Sequence, residues 1–269
     1  MENTRTKTTR NSLILLLTAA IWGMAFVSQS KGMDYMHPFT FNGVRSLIGA
    51  ASILVYILIS RKIAGDKAAP LDWKLNVKAG LLCGIFLTIA STLQQFGIKY
   101  TSVGKAGFIT TLYIIFVPMF GIFLKKKVAP VVWAAAVMAA VGMYLLCMTE
   151  SLRLGAGDIM VFLCAIAFAI QIMTVDHYAA RIDGAVVSCI QFTVCGVVCC
   201  IGALIWGQPT FGQLQEGLGA LLYAGVLSCG VGYTLQIVGQ KGLNPTVAAL
   251  IMSLESVIAT ISGLSLIHI

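Results

Sequence analysis

Residues 92–121 read TLQQFGIKYTSVGKAGFITTLYIIFVPMFG, and 142 positions later residues 234–263 read TLQIVGQKGLNPTVAALIMSLESVIATISG. The two stretches align without a gap. Thr92, Leu93, Gln94, Gly97, Lys99, Ala106, Ile109, Leu112 and Gly121 recur as Thr234, Leu235, Gln236, Gly239, Lys241, Ala248, Ile251, Leu254 and Gly263. Identities between apolar residues are cheap inside apolar helices. The run Thr-Leu-Gln-x-x-Gly-x-Lys includes polar residues, and chance seldom reproduces it. In both copies an apolar segment stops at a short polar turn and a second apolar segment follows. The chain therefore reads as one unit used twice.

The composition decides the solvent. Of the 269 residues, 10% are charged and 58% are hydrophobic, and the mean hydropathy is +0.91. Ordinary soluble proteins carry about a quarter charged residues, so water would face almost no polar skin here. Lipid removes the difficulty, because only helices and closed barrels satisfy every backbone group within a bilayer. The net charge of +8 is not read as a nucleic-acid footprint, since the basic residues sit mainly between apolar segments. All eight cysteines fall inside apolar segments, which argues against a disulfide framework. Cys195 and Cys199, one helical turn apart, are a conceivable thiol pair, but small apolar filling is the favoured role. His37, His177 and His268 are far apart, so neither a metal site nor a cofactor is expected.

Crossing about 30 Å of hydrocarbon takes roughly 20 helical residues. On that rule, spans are expected near 12–30, 39–60, 76–98, 103–124, 129–148, 157–177, 185–206, 218–239 and 245–266. The first is read as a retained helix because its apolar run continues past Ala19 and Ala20. Lys and Arg bias sets the orientation. With a cytoplasmic N-terminus, the inside carries Arg5, Lys7, Arg10, Arg61, Lys62, Lys67, Lys74, Lys78, Lys125, Lys126, Lys127, Arg181 and Lys241, and the outside only Lys31, Lys99, Lys105 and Arg153. The third span then runs outward and its copy, the eighth, runs inward.

The expected fold class is therefore all-α, a polytopic membrane helix bundle of two inverted five-helix repeats, residues 1–148 and 149–269. In such plans the solute site lies near the bilayer midplane between the halves. By the same offset the fifth span recurs at about 271–290. The sequence is read as truncated before that tenth helix, against the alternative of a native nine-span protein.

Particular residues resemble the EamA domain of the drug/metabolite transporter superfamily. They are Ile21-Trp22-Gly23, Pro38 with Arg45, the stretch TSVGKAGFI over residues 101–109, and LNPTVAAL over 243–250 with Leu254-Glu255. The resemblance covers nearly the whole chain. It implies two five-helix repeats and movement of small solutes, often amino acids or other metabolites, usually coupled to an ion gradient. Glu255 is followed by Ser256 where the family often has proline, and Lys125, Lys126 and Lys127 follow the fourth span where it often has an acidic residue.

Ionisable groups at membrane depth are functional candidates by default. Arg45 and Glu255 fall well inside predicted spans and have opposite sign. Glu255 is expected to be a proton- or cation-sensitive coupling group and Arg45 to attract an anionic part of a solute. The alternative is that the two pair and only fix the packing. Gln94 and Gln236 are copies of one another and are expected to approach across a pseudo-axis. Trp22 and Tyr113 are candidate cavity walls, and Pro118 is a candidate hinge, because proline removes a backbone donor. The expected partners are a small-molecule solute, the lipid bilayer and protons or sodium ions, with a homodimer allowed. The expected function is secondary transport in the cell membrane. The rivals are a non-transporting membrane sensor or assembly subunit and, less favoured, a membrane-embedded enzyme. No acidic metal motif, His pair or nucleophile constellation supports the enzyme, and no phosphate loop supports ATP-driven transport.

Overall fold

A computed structural model describes residues 4–65, 71–123 and 155–267, with a few positions between 130 and 145. The fifth expected span, 129–148, lies mostly outside the described residues. Among the described residues, eight helices are long and apolar enough to cross a bilayer: Thr6–Gly32, Pro38–Ala64, Trp73–Ile98, Val103–Phe123, Ala156–Tyr178, Gly184–Gly207, Leu218–Gln240 and Pro245–Gly263. They fall on the other eight expected segments. The chain is an all-α polytopic membrane bundle.

Its elements are α1 (Thr4–Tyr35), α2 (Pro38–Ala64), α3 (Trp73–Ile98), α4 (Val103–Thr110), α5 (Tyr113–Phe123), α6 (Ala156–Tyr178) and α7 (Gly184–Gly202). A short α8 (Phe211–Glu216) follows, then α9 (Leu218–Gln240), α10 (Pro245–Met252) and α11 (Glu255–Ile267). Capping side chains start several of them. The Asp72 carboxylate accepts the Leu75 N–H to open α3. Asp183 accepts the N–H groups of Ala185 and Val186 to open α7. Side-chain oxygens thus satisfy donors that a helix start leaves unpaired.

The fourth and last spans are each broken in two, and the breaks coincide under the 142-residue shift. Ser102 caps α4 by accepting the Lys105 N–H, and its copy Asn244 caps α10 by accepting the Thr246 N–H. At the far end, Thr111 Oγ1 donates to Phe108 O at 2.9 Å, and its copy Ser253 Oγ donates to Leu250 O at 2.7 Å. A hydroxyl that takes a helix carbonyl competes with the backbone ladder. The next N–H groups, of Leu112 and Leu254, fall back to Ile109 O and Ile251 O, three residues away instead of four. A second helix then begins at Tyr113 in one copy and Glu255 in the other.

The packing respects the same exchange. α1 lies against α10 and α11 as α6 lies against α4 and α5. α3 packs on α6 and α7 as α9 packs on α1 and α2, and the α2–α7 contact is its own counterpart. Close approach at these crossings needs small residues. A Cβ on Gly43 of α2 would lie 2.7 Å from Cys200 Sγ and 2.9 Å from Cys200 N of α7. Within α9, residues Tyr223–Gly232 wind as a ten-residue π-helix facing α1 and α2. Such wide turns are rare and often sit at functional sites.

Candidate functional site

A constricted cavity of about 40 Å3 lies where α1, α2, α3, α6, α7 and α9 meet the two helix breaks. A solute the size of a metabolite therefore needs the surrounding helices to part. Trp22, Arg45, Gln94, Tyr113, Gln236 and Glu255 all line this one cavity. So do Phe26, Gln29, Leu87, Ser91, Phe168, Gln171, Cys229 and Tyr233. Six lining pairs are separated by 142 positions: Phe26 with Phe168, Gln29 with Gln171, Leu87 with Cys229, Ser91 with Tyr233, Gln94 with Gln236, and Tyr113 with Glu255. The cavity wall is built from the same places in both copies of the unit.

One of those pairs is bonded to itself. Tyr113 OH donates to Glu255 Oε1 at 3.0 Å, across 142 residues. Copies of one position touch only when both lie near the axis that exchanges the halves. Glu255 is 3% exposed, and its carboxyl group is anchored by a neutral phenol. Arg45, 5% exposed, does not form an ion pair with it. Its Nε donates to Asn42 Oδ1 at 2.8 Å, its guanidinium lies 5.4 Å from the Phe41 ring centre, and Asn42 Nδ2 donates in turn to Ser91 Oγ. The cavity wall therefore holds a cation and a carboxyl group with different partners. Mutual neutralisation does not account for either.

The glutamines form the rest of the polar lining. Gln236 Nε2 donates to Gln171 Oε1 at 3.2 Å, and Gln171 Nε2 reaches Gln191 Oε1 at 3.5 Å. Gln94 Nε2 donates instead to Thr110 Oγ1 at 3.2 Å. Gln94 and Gln236 thus share the cavity while bonding elsewhere. Gln29 Oε1 and Gln236 Oε1 of the lining find no hydrogen-bond partner among the described residues. A buried polar atom left unpaired costs about 1–3 kcal/mol, so these atoms favour a polar occupant. Trp22 Nε1 lies 3.4 Å from Ser228 O of the π-wound stretch, and its ring centre lies 4.5 Å from that of Tyr233, with the planes tilted by 51°.

Pro118 lies inside α5, which runs through it unbroken from Tyr113 to Phe123. The interruption falls at Thr111 and Leu112 because hydroxyl and backbone bonds are rearranged there. Cys195 Sγ sits 3.5 Å from Ser46 Oγ and 3.4 Å from Ser91 Oγ, just behind the cavity wall. Among the described residues, no three His, Cys, Asp or Glu side chains converge as metal ligands. Gln29 was not among the candidates; its signal is Ala25-Phe26-x-x-Gln29 repeated as Ala167-Phe168-x-x-Gln171 at the same shift of 142.

The comparisons with known proteins agree with this architecture. The model of the EamA-like transporter family matches residues 10–148 and again 155–268. The chain belongs to that family. An uncharacterized transporter of Archaeoglobus fulgidus is 30% identical over 171 residues, covering 61% of this chain and 48% of that protein. This match spans about half the length of that relative. The uncharacterized transporter YwfM of Bacillus subtilis is 27% identical over 256 residues, covering 94% of this chain and 84% of its own. A solved crystal structure at 16% identity superposes with a TM-score of 0.74, covering 94% of this chain and 86% of that one, and shares the fold. As a family member, this EamA-like protein is a multi-pass membrane transporter for a small-molecule solute, embedded in the lipid bilayer.

Proposed function

We propose that this transporter is a secondary carrier that moves its solute by alternating access through the central cavity, driven by an ion gradient. The halves, residues 1–148 and 149–269, act as inverted repeats with the N-terminus in the cytoplasm and the bundle in the cell membrane. Glu255 takes up and releases the coupling proton or cation. Arg45 attracts an anionic part of the solute, and Gln94 and Gln236 supply hydrogen bonds from the two sides. Trp22 and Tyr113 close the walls. The two helix breaks and Pro118 within α5 act as the hinges.

The observation that carries this reading is the Tyr113–Glu255 bond, which joins copies of one position at two helix breaks inside one cavity. Discontinuous helices in corresponding positions of two repeats are a recurrent feature of carrier binding sites. The two copies differ only in that one offers a phenol and the other a carboxyl group, so the ion-sensitive step has a single location. The test is flux in proteoliposomes over a panel of radiolabelled metabolites with an imposed proton or sodium gradient. Glu255→Gln is expected to abolish gradient-driven accumulation while solute exchange at equal concentrations persists. Full accumulation by that variant refutes the coupling role. No flux by the wild-type protein across the panel favours a sensor or assembly subunit.

A further inference from the structure

A second hollow of about 610 Å3 opens at the end of the bundle bordered by the C-terminal turn of α2, the turn after α6 and the end of α9. Three cations converge on it from these elements: Arg61, Arg181 and Lys241. Its two carboxylates, Asp72 and Asp183, are already engaged by the N–H groups that start α3 and α7. Those helix starts add partial positive charge of their own. Lys241 Nζ donates to Ile182 O at 3.2 Å and holds the turn in place. Among the described residues, neither Arg61 nor Arg181 has an ion-pair partner.

The opposite wall is apolar and continuous with the lipid-facing side of the bundle. Tyr56, which lines the hollow, is 60% exposed, and Leu54, Val55, Leu58 and Ile59 beside it on α2 are exposed as well. A cationic floor that runs into a lipid-facing apolar wall matches one kind of molecule, with an anionic head and hydrocarbon tails. We infer that this hollow is a binding site for an anionic phospholipid, its phosphate between Arg61 and Arg181 and its acyl chains along Tyr56 and the outer face of α2. Basic pockets between transmembrane helices hold anionic head groups in this way, each cation near the surface strengthening binding about fivefold. The bias of Lys and Arg toward this end places it at the leaflet where such lipids are enriched. The site rests on the membrane fold alone and does not depend on the transport reading.

The test is native mass spectrometry of the whole protein in neutral detergent, titrated with phosphatidylglycerol, with phosphatidylcholine and with sodium phosphate. Phosphatidylglycerol is expected to give saturable one-to-one binding, phosphatidylcholine at least tenfold weaker binding, and millimolar phosphate little competition. Arg61→Gln with Arg181→Gln is expected to weaken phosphatidylglycerol about 25-fold, two cations at about fivefold each. Arg181→Gln alone, in an exposed turn, gives about fivefold and stands in if the double variant does not fold. Lys62→Gln with Lys74→Gln, exposed but not lining the hollow, is expected to change binding less than threefold. Equal binding of the two lipids overturns the site, as does an unchanged Arg181→Gln variant. Full displacement by free phosphate overturns the lipid as its ligand.

Discussion

Asp158 at the start of α6 is where one substitution tests the largest share of the packing argument. Its carboxylate accepts Lys105 Nζ at 2.6 Å, Thr101 Oγ1 at 2.7 Å and the Gly155 N–H at 2.8 Å, tying the start of α4 to the start of α6. Asp158 is 4% exposed and Lys105 18%. A neutral hydrogen bond contributes about 1 kcal/mol net and a charged one about twice that. Asp158→Asn keeps the shape and a bonding atom for each partner but loses the charge, which costs about 2 kcal/mol. The figure is kept low because Lys105 retains some access to solvent. Asp158→Ala removes all three bonds and strands the Gly155 N–H, for about 4 kcal/mol. Lys105→Met combined with Asp158→Asn should show a coupling of about 1–2 kcal/mol, since contacting charges are not additive. The measurement is reversible unfolding of the purified protein by sodium dodecyl sulfate in mixed micelles. A loss below about 0.5 kcal/mol for Asp158→Ala would refute the idea that this cluster holds the two halves together.

Gly23→Ala should destabilise by about 1–3 kcal/mol in the same unfolding assay. Its Cβ would lie 2.6 Å from Ile258 Cβ and 2.7 Å from Glu255 O, and backbone cannot step aside; an unchanged midpoint contradicts the tight α1–α11 crossing. Cys229 lines the constricted cavity at 2% exposure, so N-ethylmaleimide should label it slowly and a transported solute should slow it further. Peptide mapping that finds Cys229 alkylated as fast as an exposed thiol argues against a closed cavity. Burial, reinforced by the nearby Lys99 charge, holds the His37 imidazole below its ordinary value of 6.5. His37 Nδ1 accepts the Phe39 N–H at the start of α2, and the neutral ring is the form the fold prefers. Stability from this group is therefore complete above pH 6.5 and declines as pH falls below it, because the unfolded chain takes the proton first. His37→Asn keeps a capping oxygen without titrating and should flatten that part of the pH profile; an identical slope in the variant rejects His37 as its source.

The bundle was legible from residues alone because lipid imposes one rule on every segment. Backbone groups must be satisfied within a helix, so runs of apolar residues of the right length become spans. The 142-residue shift between 92–121 and 234–263 carries almost as much, since equal local sequences make equal caps and equal breaks, as at Ser102 and Asn244 or Thr111 and Ser253. Arg45 and Glu255 stood out because charge in a bilayer is costly and needs a reason. Sequence alone could not tell whether those two charges neutralise each other. That answer depends on where the bundle places α2 and α11, and on Arg45 and Glu255 bonding to Asn42 and Tyr113 instead of to each other.

The Gln171–Gln236 bond and the unpaired glutamine oxygens were equally hidden, because amides on separate helices meet only once the helices pack. Even Pro118, the obvious breaker, turned out to ride within a continuous α5 while two ordinary hydroxyls marked the interruption. Sequence by itself determined the solvent, the spans and the twofold use of one unit, all of which rest on local composition and spacing. Only tertiary structure decided which copies of which residues face one another. Tyr113 meets Glu255 because helix packing brings the two helix breaks to one cavity, and no local property of either residue specifies that meeting.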